Sequence, residues 1–287
     1  MTTDHRKAPT GSRTDYLASD LAPARPGQGE EMIRLEGVTK RYGDFTAVDG
    51  IDLTVPRGTI FGFLGPNGAG KTTTIRMISG VLLPTSGRIF IGQDDLATEP
   101  ELAKARLGYI PDRPYLYEKL SGREFLRFVA GLWGNEGKAT EERAERLLEL
   151  FDLSYWENEL VESYSHGMRQ KLLISSALIH QPELIVVDEP MVGLDPKSAR
   201  TLKDLLRTYV EQGGTVFLSS HTLEVVEVLC DAIAIIHQGT IIAKGTMDEL
   251  QEQADAGEAH LEEIFLKVTG GQDMGDVVSS IQDGPLP

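Results

Sequence analysis

Thr59-Ile60-Phe61-Gly62-Phe63-Leu64-Gly65-Pro66-Asn67-Gly68-Ala69-Gly70-Lys71-Thr72-Thr73 joins a short apolar run to a glycine-rich turn and then to a helix-forming stretch, Lys71–Gly80. The pattern G-x-x-x-x-G-K-[ST] is met in full, and it sits between a strand and a helix, the setting in which it has physical meaning. Glycines let the backbone curl so that successive N–H groups point inward at phosphate oxygens. The helix that follows adds the positive end of its dipole. Gly65, Pro66, Asn67, Gly68, Ala69 and Gly70 are expected to form the cradle. Lys71 should pair with the β- and γ-phosphates, Thr72 should ligate Mg²⁺, and Thr73 should add a phosphate contact. A glycine-rich turn without a ligand fits neither flank.

Two further strand ends carry chemistry. Apolar Leu184-Ile185-Val186-Val187 delivers Asp188 and Glu189, followed by Pro190. An acid in that place can hold a Mg²⁺ shell while its neighbour orients an attacking water. Alone, two adjacent carboxylates fit a solvated turn as well as a catalytic pair; a phosphate loop in the same chain favours the catalytic reading. His221 follows the strand-like Thr215–Ser219 and opens a helix. Its neutral imidazole could hydrogen-bond a γ-phosphate, although by itself it reads as a surface histidine near a helix start.

Around these sites the chain alternates strands with helices. Met32–Val38 and Ile51–Val55 alternate as strands do, and Arg88–Ile91 and Leu107–Ile110 are short strand candidates. From Ser121 to Leu160 the pattern is helical. Ser121-Gly122-Arg123-Glu124 fits a capping box, and Thr140 is expected to cap a second amphipathic helix through Leu150. Strands and helices then alternate again: Leu184–Asp188, a helix from Pro196 capped by Asp195, Thr215–Ser219, a helix from Thr222, Ala232–Ile236 and Thr240–Lys244. The reading is an α/β body over residues 31–250, with an all-helical insert at about 113–180. Residues 1–30, with four basic and four acidic residues among Pro and Gly, read as a flexible extension. Residues 251–287 form an acidic segment with eight acidic residues against one lysine, and a short amphipathic helix is expected at 261–268 before a loose tail.

Composition narrows the class. The 287 residues carry 28 basic and 44 acidic side chains, a formal charge of −16, which argues against broad nucleic-acid binding or adsorption to an anionic lipid surface. Hydrophobic content of 40% with 25% charged residues excludes wholesale disorder and a polytopic membrane protein. The longest apolar runs, such as Ile233–Ile236, fall far short of the roughly 18 residues a spanning helix requires. Met1–Gly29 holds no signal-peptide core. The single cysteine, Cys230, cannot form an internal disulfide and reads as a buried inert thiol; no Cys/His group has zinc spacing. A cytosolic chain is expected. His180, Trp133 and Trp156 receive no functional reading.

With its motifs in this order, the chain resembles the ATP-binding subunit of ABC transporters over about residues 32–250. That resemblance implies a P-loop NTPase core of RecA-like form: an α/β fold with a mainly parallel sheet flanked by helices, an antiparallel β subdomain and an all-helical insert. Tyr42 lies where the family stacks an aromatic on adenine. Pro190-Met191-Val192-Gly193-Leu194-Asp195 looks like the D-loop, and His221 like the switch histidine. Tyr164-Ser165-His166-Gly167-Met168-Arg169-Gln170 occupies the place of the signature, usually Leu-Ser-Gly-Gly-Gln: Ser165 and Gly167 match, while Tyr164, His166 and Met168 depart, and a helix is expected from Gly167. Asp112 stands where the family usually has glutamine, and it joins Thr72 and Asp188 as a metal candidate. These departures, and the late stretch Leu261–Leu266, resemble ATPases paired with small bacterial exporters of the ABC-2 kind. The resemblance implies two ATP and Mg²⁺ between head-to-tail subunits, as a homodimer or heterodimer, and a separate transmembrane permease that holds the chain at the cytoplasmic face. The rival expectations are a soluble ABC ATPase acting on DNA or ribosomes and a nucleotide-binding regulator with little turnover.

Overall fold

A computed structural model describes residues 30–270, apart from 114, 192, 256 and 258. β1 (Glu31–Tyr42) and β2 (Phe45–Pro56) form a hairpin, and β3 (Ile60–Leu64) leads through the phosphate loop into α1 (Lys71–Ile78). Next come β4 (Ser86–Ile91), β5 (Asp94–Asp95), α2 (Pro100–Ala105) and β6 (Leu107–Ile110). The helical stretch holds α3 (Gly122–Leu132), α4 (Lys138–Leu150) and α5 (His166–Leu178), with 3₁₀ turns at Ser154–Trp156 and Val161–Ser163. Alternation resumes with β7 (Leu184–Asp188), α6 (Pro196–Glu211), β8 (Thr215–Ser220), α7 (Leu223–Leu229) and β9 (Ala232–His237). β10 (Thr240–Gly245), α8 (Met247–Gln253) and α9 (Leu261–Val268) complete the described chain. The expected segments outside 30–270 lie beyond the described residues.

The strands form two sheets. One is antiparallel, in the order β2-β1-β4-β5; the other has the order β10-β9-β3-β8-β7-β6 and is parallel except at its β10 edge. β3, β7 and β8 are buried along their whole length, so their side chains alternate between two cores rather than between core and water. Leu64, Val187 and Leu218 face a core shared with α3 to α7, whereas Phe63, Val186 and Phe217 face a second core that includes the antiparallel sheet. Phe61 and Phe217 stack in that second core, with ring centroids 5.9 Å apart.

The helix starts follow local chemistry, with two corrections. The Ser121 capping box forms in full, and Asp195 caps α6 by accepting from the Ser198 N–H at 3.0 Å. α4, however, begins at Lys138 rather than after Thr140. Gly137, at φ 104°, turns the chain sooner and leaves Thr140 buried within the first turn. α5 begins at His166 with Ser165 as its cap, one residue before the expected start at Gly167. The hairpin β1–β2 is also longer than its two alternating fragments implied, because the turn at Gly43-Asp44 lets pairing run to Tyr42 and Phe45.

Two buried polar features tie the layers together. Arg57 and Arg106 both bond Glu183, and Arg106 also bonds Asp94, which links the ends of the two sheets. His180 is buried under the Trp133 ring, 4.4 Å away centroid to centroid, with its Nε2 3.1 Å from the Leu107 carbonyl. Burial pushes the Cys230 thiol up, as expected of an unreactive cysteine. Among the described residues no helix is long and apolar enough to cross a membrane.

Candidate functional site

β3, β8 and β7 are neighbours, so the loops leaving their carboxyl ends meet at one edge of the parallel sheet, the usual place for ligands in such sheets. β3 delivers the glycine loop, β7 delivers Asp188 and Glu189, and β8 delivers Ser219, Ser220 and then His221. Asp112 follows β6, and the tip of the β1–β2 hairpin contributes Tyr42 and Phe45 from the other sheet. One open cleft of about 450 Å³ is lined by Tyr42, Phe45, Pro66, Asn67, Gly68, Gly70, Lys71, Thr72, Thr73, Asp112, Asp188, Glu189 and His221.

The glycine loop is shaped by backbone crowding. A Cβ on Gly65 would stand 2.3 Å from the Ile236 carbonyl oxygen, and one on Gly70 would stand 2.6 Å from that of Ala47. Gly70 also has φ 110°, which strains any other residue. Gly68, at φ 79°, has nothing within 4 Å of its missing Cβ and so leaves room for a ligand. Ala69 is buried beneath the loop. No acidic residue occupies the first turn of α1, so nothing competes with an anion for its N–H groups. Lys71 is buried, and its Nζ donates to the carbonyls of Gly65 at 2.6 Å and Pro66 at 3.2 Å. Burial holds its pKa below the usual lysine value, against the opposing pull of Glu189 and Asp188.

Asp188 is buried, and its Oδ1 accepts a hydrogen bond from the Ser219 hydroxyl at 2.5 Å. Its Oδ2 is buried and has no hydrogen-bond partner. Burial raises this carboxyl, the nearby Asp112 and Glu189 charges raise it further, and the Ser219 bond and the nearby Thr72 hydroxyl oppose them. A buried carboxylate oxygen without a donor fits a divalent cation. Among the described residues no three His, Cys, Asp or Glu side chains converge as a metal site, so Thr72 and Asp188 would supply only part of a Mg²⁺ shell.

Glu189 takes a left-handed backbone, φ 52°, a conformation that costs a non-glycine residue about 1 kcal/mol or more. Its N–H donates to the Ser219 carbonyl at 3.2 Å. The carboxylate is held at both oxygens: Oε1 lies 2.8 Å from His221 Nδ1, and Oε2 accepts from the Ser220 hydroxyl at 3.4 Å. Ser220 also accepts from the Thr222 N–H at 3.0 Å.

Ser165 and Gly167 stand apart from this cleft. The Ser165 hydroxyl accepts from the Met168 N–H at 3.3 Å, and Gly167 lies in the first turn of α5. Tyr164, which departs from the signature pattern, is a core residue: it is buried, and its hydroxyl donates to the Trp156 carbonyl at 2.7 Å. Sequence reasoning missed Phe45, Ser219 and Ser220. Phe45 was within reach, since it pairs with Tyr42 across a Gly-Asp turn of the kind that signals a hairpin. The two serines carry no motif, and their roles come from the pairing of β7 with β8.

The ABC transporter family profile matches residues 48–192. The daunorubicin resistance ATP-binding protein DrrA3 of Streptomyces coeruleorubidus is 41% identical over 224 residues, covering 78% of this chain and 71% of that protein. The probable multidrug ABC transporter ATP-binding protein YbhF of Escherichia coli (strain K12) is 36% identical over 261 residues. That match covers 90% of this chain but 45% of YbhF, so the chain spans less than half the length of that curated relative. A solved ATP-binding subunit of an ABC transporter superposes with a TM-score of 0.80 at 34% identity, covering 83% of this chain and 99% of that one.

Proposed function

The chain belongs to the ABC transporter family, and on that premise we propose that it binds ATP with Mg²⁺ and hydrolyses the nucleotide to drive a separate membrane permease. One observation carries the reading: three adjacent strand ends bring the glycine loop, Asp188, Glu189 and His221 into a single cleft.

The loop N–H groups and the start of α1 would bind the phosphates. Lys71 would exchange its bonds to Gly65 and Pro66 for the β- and γ-phosphates, and Thr73 would add a contact. Tyr42 and Phe45 would take the base on their exposed rings. Thr72 and Asp188 would hold Mg²⁺, with Asp112 beside them; the ion neutralises phosphate charge when bound. Glu189 would polarise the attacking water, held in place by Ser220 and His221. If Nδ1–H is given to Glu189, Nε2 of a neutral His221 is an acceptor. Contact with a γ-phosphate therefore requires a second proton or a break in that pair. The rest of the work is positioning and charge stabilisation.

Ser165 and Gly167 lie outside their own cleft, which favours a head-to-tail pair of subunits in which each signature turn completes the other's site. The permease surface would be the flank between Asp112 and α3, where Tyr115, Tyr117 and Leu132 are 77%, 61% and 68% exposed. The net charge of −16 gives no support to a nucleic-acid partner. The resistance proteins among the relatives favour export and a place at the cytoplasmic membrane face. A tagged full-length chain recovered from detergent-solubilised host membranes should bring down one polytopic protein in stoichiometric amount and release phosphate from MgATP. Recovery of soluble partners alone would overturn the permease reading, and absence of turnover in the complex would overturn the ATPase.

A further inference from the structure

The loop after Glu189 touches the turn that opens α5. Gly193 has φ 79°, and a Cβ built there would lie 2.5 Å from both Cδ2 and Nε2 of His166, so the imidazole lies directly over the glycine. The contact is mutual, because a Cβ on Gly167 would stand 3.1 Å from the Gly193 carbonyl oxygen. Lys171, farther along α5, reaches Asp195 at 3.6 Å, while Met168, Met191 and Leu194 pack on the same core. At one end of this loop Asp195 is fixed as the cap of α6; at the other, Glu189 is held in its left-handed turn against His221.

We propose that His166 is a positioning residue for Glu189: its ring braces Gly193, so that the turn bearing Ser165 and Gly167 and the loop bearing Glu189 move as one body. The brace rests on the proposed function, in which a partner's nucleotide docks at Ser165. Docking there then sets the carboxylate in this chain's own cleft, and the two sites of a pair fire in concert. His166 does not line the cleft, so it acts through the loop. A flat ring suits the job because it covers a glycine that has no side chain to meet it. A methyl group at 166 would leave the glycine uncovered, and a methyl group at 193 would collide with the ring.

The test uses the full-length chain with His166→Ala, His166→Phe, Gly193→Ala and the double variant His166→Ala/Gly193→Ala, each checked for folding by melting. His166→Ala should lower kcat about tenfold and bring the Hill coefficient for MgATP towards 1, with KM and the affinity for a fluorescent ATP analogue little changed. His166→Phe, which keeps the flat ring, should restore most of both. Gly193→Ala should impair the wild type more than it impairs His166→Ala, because the collision needs the ring. Wild-type kcat and cooperativity in His166→Ala, equal loss in the Phe variant, or strict additivity would each overturn the brace. Hydrogen exchange gives a readout independent of turnover: amides of residues 193–195 should exchange about tenfold faster in His166→Ala. Unchanged exchange would also overturn it. If His166→Ala shows the exchange effect while the wild type neither binds nor hydrolyses MgATP, the function would fall and the brace would stand.

Discussion

On the proposed function, Lys71 and Glu189 separate binding from chemistry. Lys71→Ala removes the buried ammonium that faces the phosphate cradle, so nucleotide binding should weaken and hydrolysis should vanish. Glu189→Gln keeps the shape and the left-handed backbone but removes the proposed base. Binding should survive while turnover falls by about 10²- to 10⁴-fold in a phosphate-release assay. Near-wild-type turnover in the Gln variant would remove Glu189 from its role. The place of these two residues in one cleft was legible in the sequence because each closes a contiguous pattern: the glycine spacing fixes Lys71, and an apolar run ending in two acids fixes Glu189. Ser219 and Ser220 were not legible. They sit some thirty residues from the acids they hold, and only the parallel register of β7 on β8 brings Asp188 opposite Ser219.

The helical segment shows how one element constrains the next. Gly122 opens α3, and a Cβ there would stand 2.3 Å from the hydroxyl oxygen of Tyr164. That hydroxyl is committed to the Trp156 carbonyl and has little freedom to retreat. Gly122→Ala should therefore destabilise the fold by about 1–3 kcal/mol in urea titration, although alanine is the better helix former. Tyr164→Phe in the same chain removes the offending oxygen and should recover much of the loss. An Ala variant as stable as the wild type would show that the two elements are not in register there. Sequence patterning found the Ser121 box because the bond lies within four residues. It misplaced the start of α4, since a glycine at positive φ leaves no periodic signal.

At the scale of the whole molecule, the joint between α5 and β6 carries an acid-sensitive group. His180 is buried beneath Trp133, and burial, against the bond to Leu107, lowers its pKa to about 4 from an ordinary 6.5. An unfolded chain takes up this proton near pH 6.5, whereas the folded chain refuses it until about pH 4. The contribution of His180 to stability is therefore complete above pH 6.5 and falls by about 3 kcal/mol as pH drops through that window. His180→Asn should flatten melting temperature against pH over the same interval; an unchanged slope would assign the acid loss elsewhere. The alternation of strands and helices made the α/β body legible, and the two-core division followed only once Phe61, Phe63 and Phe217 were seen on a common face.

The hairpin tip of the antiparallel sheet would offer a bound nucleotide two exposed rings, Tyr42 and Phe45, with the glycine loop on the other sheet. A ring stacks on any nucleobase, and neither aromatic reads the edge that tells adenine from guanine. Used in this way, the cleft would gauge a triphosphate and be nearly blind to the letter attached to it. GTP should compete with ATP within about an order of magnitude. Which nucleotide powers the chain would then be settled outside the protein, by whichever one the cell keeps in greatest supply.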